Sequence, residues 1–291
     1  MLRMPKKSLR VGEFKRDRTT IALVVLFAVT AVLVAGGLLW DSNRTAEAAD
    51  SYTSTYTPEE VVTAGPVVQK YQVSEVMRRL NDQARPFQIA VVGDSTGVAR
   101  QGWVYQMAEA LGKATGRTVN FRQWAAELDP PRYYKPQTVH QGGPATIEIW
   151  NGSASGKGVQ YSSDLLEELL PLPTEQPDLI FLNHGHNARI YELELAAKNL
   201  LVRMTEEHPD TAVVAILQNP QDPTVAGAAK HTTNINLLRD FLQVTNFPFI
   251  DVYSAYIQQP GWETWFVDNH PDARGNTLWA DLVLKYIGFP R

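Results

Sequence analysis

Four short polar segments of the chain combine side chains that could perform nucleophilic chemistry. The first is Gly93-Asp94-Ser95, which ends an apolar run of strand character over residues 87–92. A buried strand that stops at such a triplet leaves the Ser95 hydroxyl at the carboxyl edge of a sheet, where ligands bind in open α/β folds. A small polar triplet after a strand is usually only a turn, so the other three segments decide its meaning.

Two further segments offer hydrogen-bond donors for a developing negative charge. Residues 151–156 read Asn-Gly-Ser-Ala-Ser-Gly, and a glycine such as Gly156 lets a backbone N–H point at a ligand oxygen without obstruction. Asn187 follows another apolar run and supplies an amide donor, although it could equally cap the next helix. His184 and His186 have a spacing seen in metal sites, but no matching third ligand is nearby, so no metal or other cofactor is predicted.

The fourth segment contains a candidate base just before the predicted C-terminal helix. His270 stands in Val-Asp-Asn-His-Pro, and an imidazole is the usual proton acceptor for a serine hydroxyl. A carboxylate commonly fixes the tautomer of such a histidine, and Asp268 is the candidate here. Otherwise His270 caps the helix or lies at the surface.

Taken together and in this order, the four segments resemble the SGNH (GDSL-type) hydrolase superfamily over residues 87–291. The resemblance implies an α/β fold, a flavodoxin-like three-layer α/β/α sandwich with a mainly parallel central sheet. It also implies that Ser95 is the nucleophile and His270 the base. The implied oxyanion hole consists of the Ser95 N–H, the Gly156 N–H and the Asn187 side chain.

Two positions depart from the family pattern. The usual Asp-x-x-His would place the acid at position 267, which is Val267, whereas Asp268 lies two residues before His270. Either the Asp268 carboxylate or a backbone carbonyl must therefore orient the imidazole, and Asp268 is taken as the acid. The aspartate that commonly follows the asparagine donor is replaced by Ala188, which should be tolerable because Asn187 itself is the donor.

The activity implied by the resemblance is acyl transfer from an ester, with no cofactor. The expected substrate is an O-acetyl or short acyl ester of a cell-envelope carbohydrate or glycolipid. An acyltransferase, a lipase or lysophospholipase-type esterase and a non-catalytic binding domain are the alternatives. Asp94, Trp262 and Trp265 are candidate substrate contacts, since tryptophan faces suit stacking on sugar rings.

Alternating strands and helices must position these segments, which favours a mainly parallel sheet covered on both faces. Predicted strands are residues 87–93, 118–124, 145–150, 178–183, 212–218 and 248–252, and predicted helices are residues 102–115, 165–170, 190–207, 232–245 and 273–287. Residues 125–144, rich in Pro, Tyr and Gln, are predicted to form a long irregular insertion near the carboxyl edge. Long ordered loops of this kind are often functional.

The first 85 residues predict a membrane anchor. Residues 21–40 carry no charge and can span a bilayer as a helix, and the basic residues 1–20 favour a cytoplasmic N-terminus. Residues 41–85 are predicted to be a stalk and linker helix, which either packs on the domain or stands between it and the membrane. Residues 86–291 are then an extracytoplasmic domain on a single-pass protein. Cleavage of a signal peptide near Ala48 is the alternative, and it also exports the domain.

Composition excludes several other classes of protein. The net charge of -4 and the absence of a long basic run argue against a nucleic-acid partner. Because the chain has no cysteine, it can contain neither a disulfide nor a cysteine nucleophile. The partners expected are an ester substrate and the membrane, and the sequence leaves the oligomeric state open.

Overall fold

The computed structural model describes residues 73–170 and 176–289. The predicted membrane span and most of the predicted stalk lie outside these residues. Among the residues that the structure does describe, no helix is long and apolar enough to cross a bilayer.

Helices and strands mostly alternate along the described chain, apart from a run of four strands over residues 117–151. The α-helices are α1 Val73–Asn81, α2 Trp103–Thr115, α3 Val159–Asp164, α4 Leu166–Leu169, α5 Leu193–Glu207, α6 Ala228–Val244, α7 Val252–Ile257 and α8 Ala273–Tyr286. The strands are β1 Phe87–Gly93, β2 Arg117–Ala125, β3 Arg132–Tyr133, β4 Gln137–His140, β5 Gly143–Asn151, β6 Leu179–Asn183, β7 Ala212–Leu217, β8 Phe249–Asp251, β9 Phe266–Val267 and β10 His270–Pro271. Short 3₁₀ turns occupy Ser95–Gly97 and Trp262–Thr264.

The central sheet has the strand order β3-β2-β5-β1-β6-β7-β8, and β4 also pairs with β2. Neighbours from β2 to β8 run parallel, whereas β3 and β4 pair antiparallel with β2. The five strands β5-β1-β6-β7-β8 keep the flavodoxin-like order, and β2 extends the sheet beyond them. Because the chain crosses from one side of β1 to the other, the crevice at the carboxyl end of β1 is the place where such folds bind ligands.

Apolar side chains cover both faces of this sheet, as the predicted three-layer sandwich requires. Every residue of β1, β6 and β7 is buried, which explains why these strands are apolar apart from Gln88 and Asn183. Along β1, Ile89 and Val91 face a core formed with α2 and α8, while Ala90 and Val92 face a core formed with α5 and α6.

Helix α1 packs on the domain, which decides between the two alternatives for the linker helix. Val76 and Leu80 are buried in the same core as α2 and α8. Arg117 is fully buried, and its guanidinium donates to the main-chain carbonyls of Leu80 at 2.7 Å and of Thr146 at 2.9 Å. The packed unit therefore begins ahead of the predicted boundary at residue 86.

The prediction of an irregular insertion over residues 125–144 is wrong. This segment contains β3 and β4, and both pair with β2. These strands are short, lie at the sheet edge and carry partly exposed polar residues, so they lack an apolar alternation in the sequence. The predicted helix at 165–170 is also incomplete, because α3 precedes it from Val159. Helix α7 was not predicted.

Candidate active site

Ser95 lies in the 3₁₀ turn that directly follows β1, at the predicted sheet edge. The Asp94 side chain caps this turn by accepting a hydrogen bond from the Thr96 N–H at 3.1 Å. The Ser95 carbonyl accepts from the Val98 N–H at 3.2 Å, which closes the turn. The Ser95 side chain is therefore held on a short rigid turn and stays partly exposed.

His270 is presented to Ser95 by a small β-hairpin formed by β9 and β10. Its two-residue loop is Asp268-Asn269, and both residues have left-handed backbone angles, φ 48° and φ 65°. Two consecutive residues of positive φ are the mark of a type I′ turn, for which Asp and Asn are favoured. The hairpin places His270 Nε2 2.9 Å from Ser95 Oγ. The structure thus brings the predicted nucleophile and base together.

Asp268 contacts His270 through its backbone and not through its carboxylate. The Asp268 carbonyl oxygen lies 2.8 Å from His270 Nδ1. In the described chain the Asp268 carboxylate makes no hydrogen bond to the imidazole, so the prediction of an acid at this position is corrected in favour of the carbonyl. Because a carbonyl can only accept, Nδ1 must donate, and Nε2 is left as the acceptor for the Ser95 hydroxyl.

An aromatic cluster supports this hairpin. Trp262 and Trp265 both pack against Tyr256, with ring centroids 6.4 and 5.4 Å away. The Tyr256 hydroxyl donates to the Trp265 carbonyl at 2.9 Å, and the Asp272 N–H donates to the same carbonyl at 2.8 Å. Both tryptophans are half-buried, so they brace the hairpin, and their contact with a substrate stays a prediction.

The three predicted oxyanion donors follow neighbouring strands at the same edge of the sheet. Gly156 is exposed and has φ 71°, a conformation that favours glycine. For the N–H groups of Ser95 and Gly156, no acceptor is found within the described ranges. The exposed Asn187 amide donates to the Lys157 carbonyl at 3.1 Å, which uses one of its two N–H bonds and ties this segment to the glycine-rich loop. Their convergence on one oxygen stays a prediction.

Asp94 is buried beneath the site, and this corrects its predicted role as a substrate contact. Its side chain has 0% exposure. It accepts hydrogen bonds from the Thr96 hydroxyl at 2.8 Å, the Gln218 amide at 3.1 Å and the Gly185 N–H at 3.3 Å. These contacts join the segments after β1, β6 and β7, so Asp94 organises the sheet edge instead of facing a ligand.

Sequence reasoning missed the amide partners of this buried network. Gln218 donates to the Asn183 carbonyl at 3.0 Å, and the Asn183 side chain donates to the Thr96 hydroxyl at 3.0 Å. Each amide stands at or just after the end of an apolar strand, β6 or β7. A polar residue at the end of each of several apolar strands is the signal that could have identified these amides, since the carboxyl ends of parallel strands meet at one edge of the sheet.

The buried histidines near the site act as neutral hydrogen-bonding groups. His184 Nε2 lies 2.8 Å from Ser162 Oγ, while His186 and His231 both contact the Asn219 carbonyl. Burial lowers the pKa of His184 to about 4 and that of His231 to about 3, and it also lowers the pKa of His186. In the ranges covered by the structure, no group of three or more His, Asp or Glu side chains could hold a metal ion.

The pKa of Asp94 lies below its ordinary value. Burial opposes ionisation, and it is outweighed by the hydrogen bonds from Thr96 together with the positive charges of His186 and His184 when these are protonated. Since burial keeps both histidines uncharged near neutral pH, we attribute the stable carboxylate there mainly to its hydrogen bonds.

Two cavities adjoin the turn that carries Ser95, and Val98 belongs to the lining of both. The smaller has a volume of about 310 Å³ and is lined by Val98, Trp124, Ala126, Glu127, Ser153, Ala154, Ser155 and Lys157. The larger has a volume of about 560 Å³ and is lined by Val98, Arg100, Tyr105, Phe121, Gln123, Tyr134, Lys135 and Gln137. Because the Val98 N–H binds the Ser95 carbonyl, both cavities border the turn that carries the candidate nucleophile.

Comparison with known proteins gives a likeness of structure only. No protein-family model matches the chain, and no curated protein matches its sequence. Among solved structures, a putative GDSL-like lipase from Parabacteroides merdae matches with a TM-score of 0.51 and 18% identity, covering 72% of this chain and 98% of that one. A two-domain esterase active on acetylated mannans matches with a TM-score of 0.53 and 17% identity, covering 75% of this chain and 52% of that one.

The chain has the fold of these hydrolases. A variant of the acetyl xylan esterase Axe2 from Geobacillus stearothermophilus is similar as well, with a TM-score of 0.50 and 16% identity over 70% of this chain and 96% of that one. At such low identity the likeness establishes the α/β fold and its mostly parallel sheet, and the chemistry of this chain must be argued from its own residues.

Proposed function

We propose that the protein is a serine ester hydrolase. The observation that carries this proposal is the 2.9 Å contact between Ser95 Oγ and His270 Nε2, with His270 Nδ1 held by the Asp268 carbonyl. A nucleophile within hydrogen-bond reach of a base, which is itself oriented by a third group, is the general arrangement of acyl-transfer enzymes.

The reaction follows from this arrangement. Ser95 Oγ attacks the ester carbonyl carbon while His270 Nε2 accepts the hydroxyl proton, and that proton then passes to the leaving alcohol oxygen. Water next attacks the acyl-serine, gives a proton to His270 and releases the acid together with the restored hydroxyl. The oxyanion of each step would be bound by the N–H groups of Ser95 and Gly156 and by the Asn187 amide.

The proposed substrate is an O-acetyl or short acyl ester of a cell-envelope carbohydrate or glycolipid. Two of the structurally similar proteins are described as acting on acetylated xylan and acetylated mannans, which supports a glycan ester. The uncharged residues 21–40 and the basic segment before them support a single-pass anchor with the catalytic domain outside the membrane.

Labelling with a fluorophosphonate probe tests the nucleophile. We expect the full chain to be labelled, the Ser95→Ala variant to lose labelling, and Ser155→Ala, which removes an exposed serine beside the smaller cavity, to retain it. Absence of labelling in the wild-type chain would refute the proposed chemistry and favour a non-catalytic binding domain.

Product analysis tests the reaction. The wild-type chain is incubated with acetylated xylan and acetylated mannan, with and without an unacetylated glycan acceptor, and free acetate is quantified. We expect free acetate in both conditions. Acetyl groups found on the acceptor in place of free acetate would identify an acyltransferase.

A further inference from the structure

The larger cavity has features that the hydrolysis of a neutral acetyl ester does not require. Aromatic side chains from three parts of the chain enclose it: Tyr105 on α2, Phe121 on β2 and Tyr134 in the β3–β4 connection. Its volume of about 560 Å³ is within the usual range for small-molecule pockets, which is about 300–1,000 Å³. The cavity can therefore hold a whole ring-sized group.

Two cationic residues, Arg100 and Lys135, contribute to the lining of this cavity. Arg100 and Lys135 are exposed, and in the described chain neither has an ion-pair or hydrogen-bond partner. Among the residues that the structure describes, no acidic side chain belongs to this lining. Glu127 lines the smaller cavity and accepts a hydrogen bond from the Tyr134 hydroxyl, which lowers its pKa, so its negative charge lies outside the larger cavity, behind Tyr134. An anionic ligand in the larger cavity would find two cationic side chains that have no partner among the described residues.

Hydrogen bonds connect the wall of this cavity to the candidate nucleophile. Gln123 on the wall accepts from the Asn151 amide at 2.8 Å, and the same amide donates to the Gly97 carbonyl at 2.8 Å. Gly97 belongs to the turn that carries Ser95. The wall of the cavity is thus connected to the turn that carries the reacting centre, as expected for a subsite that binds a neighbouring part of the substrate.

We infer that the larger cavity binds an acidic sugar unit of the substrate. Its ring would pack on Tyr105, Phe121 and Tyr134, and its anionic group would be bound by Arg100 and Lys135. This inference rests on the proposed ester hydrolysis and makes it more specific: the preferred substrate is an acylated glycan that carries carboxylate or phosphate groups.

The test uses three acetylated disaccharides that differ only at C6 of one sugar unit, which is a hydroxymethyl group, a carboxylate or a hydroxymethyl group phosphorylated on its oxygen. We expect kcat/KM for one or both anionic disaccharides to exceed the neutral value about tenfold at low salt, since each of the two exposed charge contacts is worth about threefold. The preference should shrink in 0.5 M salt, because exposed charges are screened. The two anionic arms separate carboxylate from phosphate recognition.

Charge-removing variants test the residues themselves. The double variant Arg100→Gln and Lys135→Gln should bring the ratio of anionic to neutral kcat/KM close to one. Lys285→Gln, which removes an exposed lysine near the far end of α8, should leave that ratio unchanged. Equal kcat/KM for all three disaccharides, or a preference that survives the double variant, overturns the inference.

Binding measurements test recognition of the anionic sugar independently of ester hydrolysis. By calorimetry, the Ser95→Ala chain should bind an anionic disaccharide about tenfold more tightly than the neutral one. If 4-nitrophenyl acetate is not hydrolysed by the wild-type chain, the proposed function fails, and the binding preference still decides whether the cavity recognises an anion. Equal affinities overturn the inference even when hydrolysis is observed.

Discussion

Replacing Asp268 separates a backbone-oriented histidine from a conventional catalytic triad. The Asp268 carbonyl, 2.8 Å from His270 Nδ1, belongs to the main chain and survives any change of side chain. Asp268→Asn also keeps a residue that tolerates the left-handed φ of 48°. This variant therefore removes the carboxylate while leaving the hairpin and its carbonyl in place.

The two hypotheses predict very different losses. When the aspartate of a serine-protease triad is replaced by asparagine, turnover falls about 10⁴-fold, which corresponds to about 5.5 kcal/mol of transition-state stabilisation. With the carbonyl as the orienting group, we expect Asp268→Asn to change kcat/KM by no more than about twofold, or about 0.4 kcal/mol. Asp268→Ala should cost more, because a left-handed alanine is strained by about 1 kcal/mol.

Initial rates of 4-nitrophenyl acetate hydrolysis at saturating and limiting substrate measure both kcat and kcat/KM. Asp240→Asn serves as the matched control, since Asp240 is exposed on α6 and has no partner among the described residues. Thermal unfolding of Asp268→Ala distinguishes hairpin strain from lost chemistry. A fall of more than about 100-fold in Asp268→Asn, with unchanged thermal stability, would show that the carboxylate acts and that the carbonyl assignment is wrong.

Two further predictions concern the oxyanion site and the buried histidines. Asn187→Ala should lower turnover about 10²–10³-fold with little change in substrate binding, as for other oxyanion donors; hydrolysis of 4-nitrophenyl acetate at the wild-type rate would show that Asn187 is not such a donor. Burial lowers the pKa of His184 to about 4, so the unfolded chain takes up a proton near pH 6.5 while the folded chain does not. The resulting stability is present above pH 6.5 and lost as the pH falls to 4, by at most about 3 kcal/mol. Urea unfolding at pH 7 and pH 4.5 measures this, and His184→Gln should flatten the dependence; an unchanged slope would contradict the assignment.

The buried parallel strands were predictable because their sequences admit few other structures. β1, β6 and β7 are buried and mainly apolar, and a polar residue stands at or just after the end of each at the same sheet edge: Asp94, Asn183 and Gln218. That pattern was enough to predict the parallel sheet and to place Ser95 and Asn187 at its carboxyl edge. β3 and β4 escaped prediction because their stability comes from pairing with β2, and their sequences alone carry no strong period.

The orienting group of His270 and the burial of Asp94 could not be predicted, for a different reason. Sequence spacing indicates which residue is near the imidazole, but the choice between the Asp268 carboxylate and its carbonyl depends on two backbone angles. The Asp-Asn pair could have signalled a type I′ turn, which needs exactly these left-handed conformations. The direction of the Asp94 side chain likewise depends on the backbone of the tight turn after β1. Thr96 of that turn and Gln218 after β7 both donate hydrogen bonds to the Asp94 carboxylate.

In the described chain no buried acid orients the base, so the scaffold has to maintain the distance between Ser95 and His270. Asn276 supplies a direct link between the strand that carries His270 and the helix that follows the turn of Ser95. Its side-chain amide donates to the Pro271 carbonyl at 2.7 Å, next to His270, and its oxygen accepts from the Trp103 N–H at 3.0 Å at the start of α2. Trp103 in turn stacks on Trp279 of α8, with ring centroids 5.2 Å apart. The strand that carries the base is thereby fixed to the helix that follows the nucleophile turn. A main-chain carbonyl can orient the imidazole here because the rest of the hairpin leaves it little freedom to move.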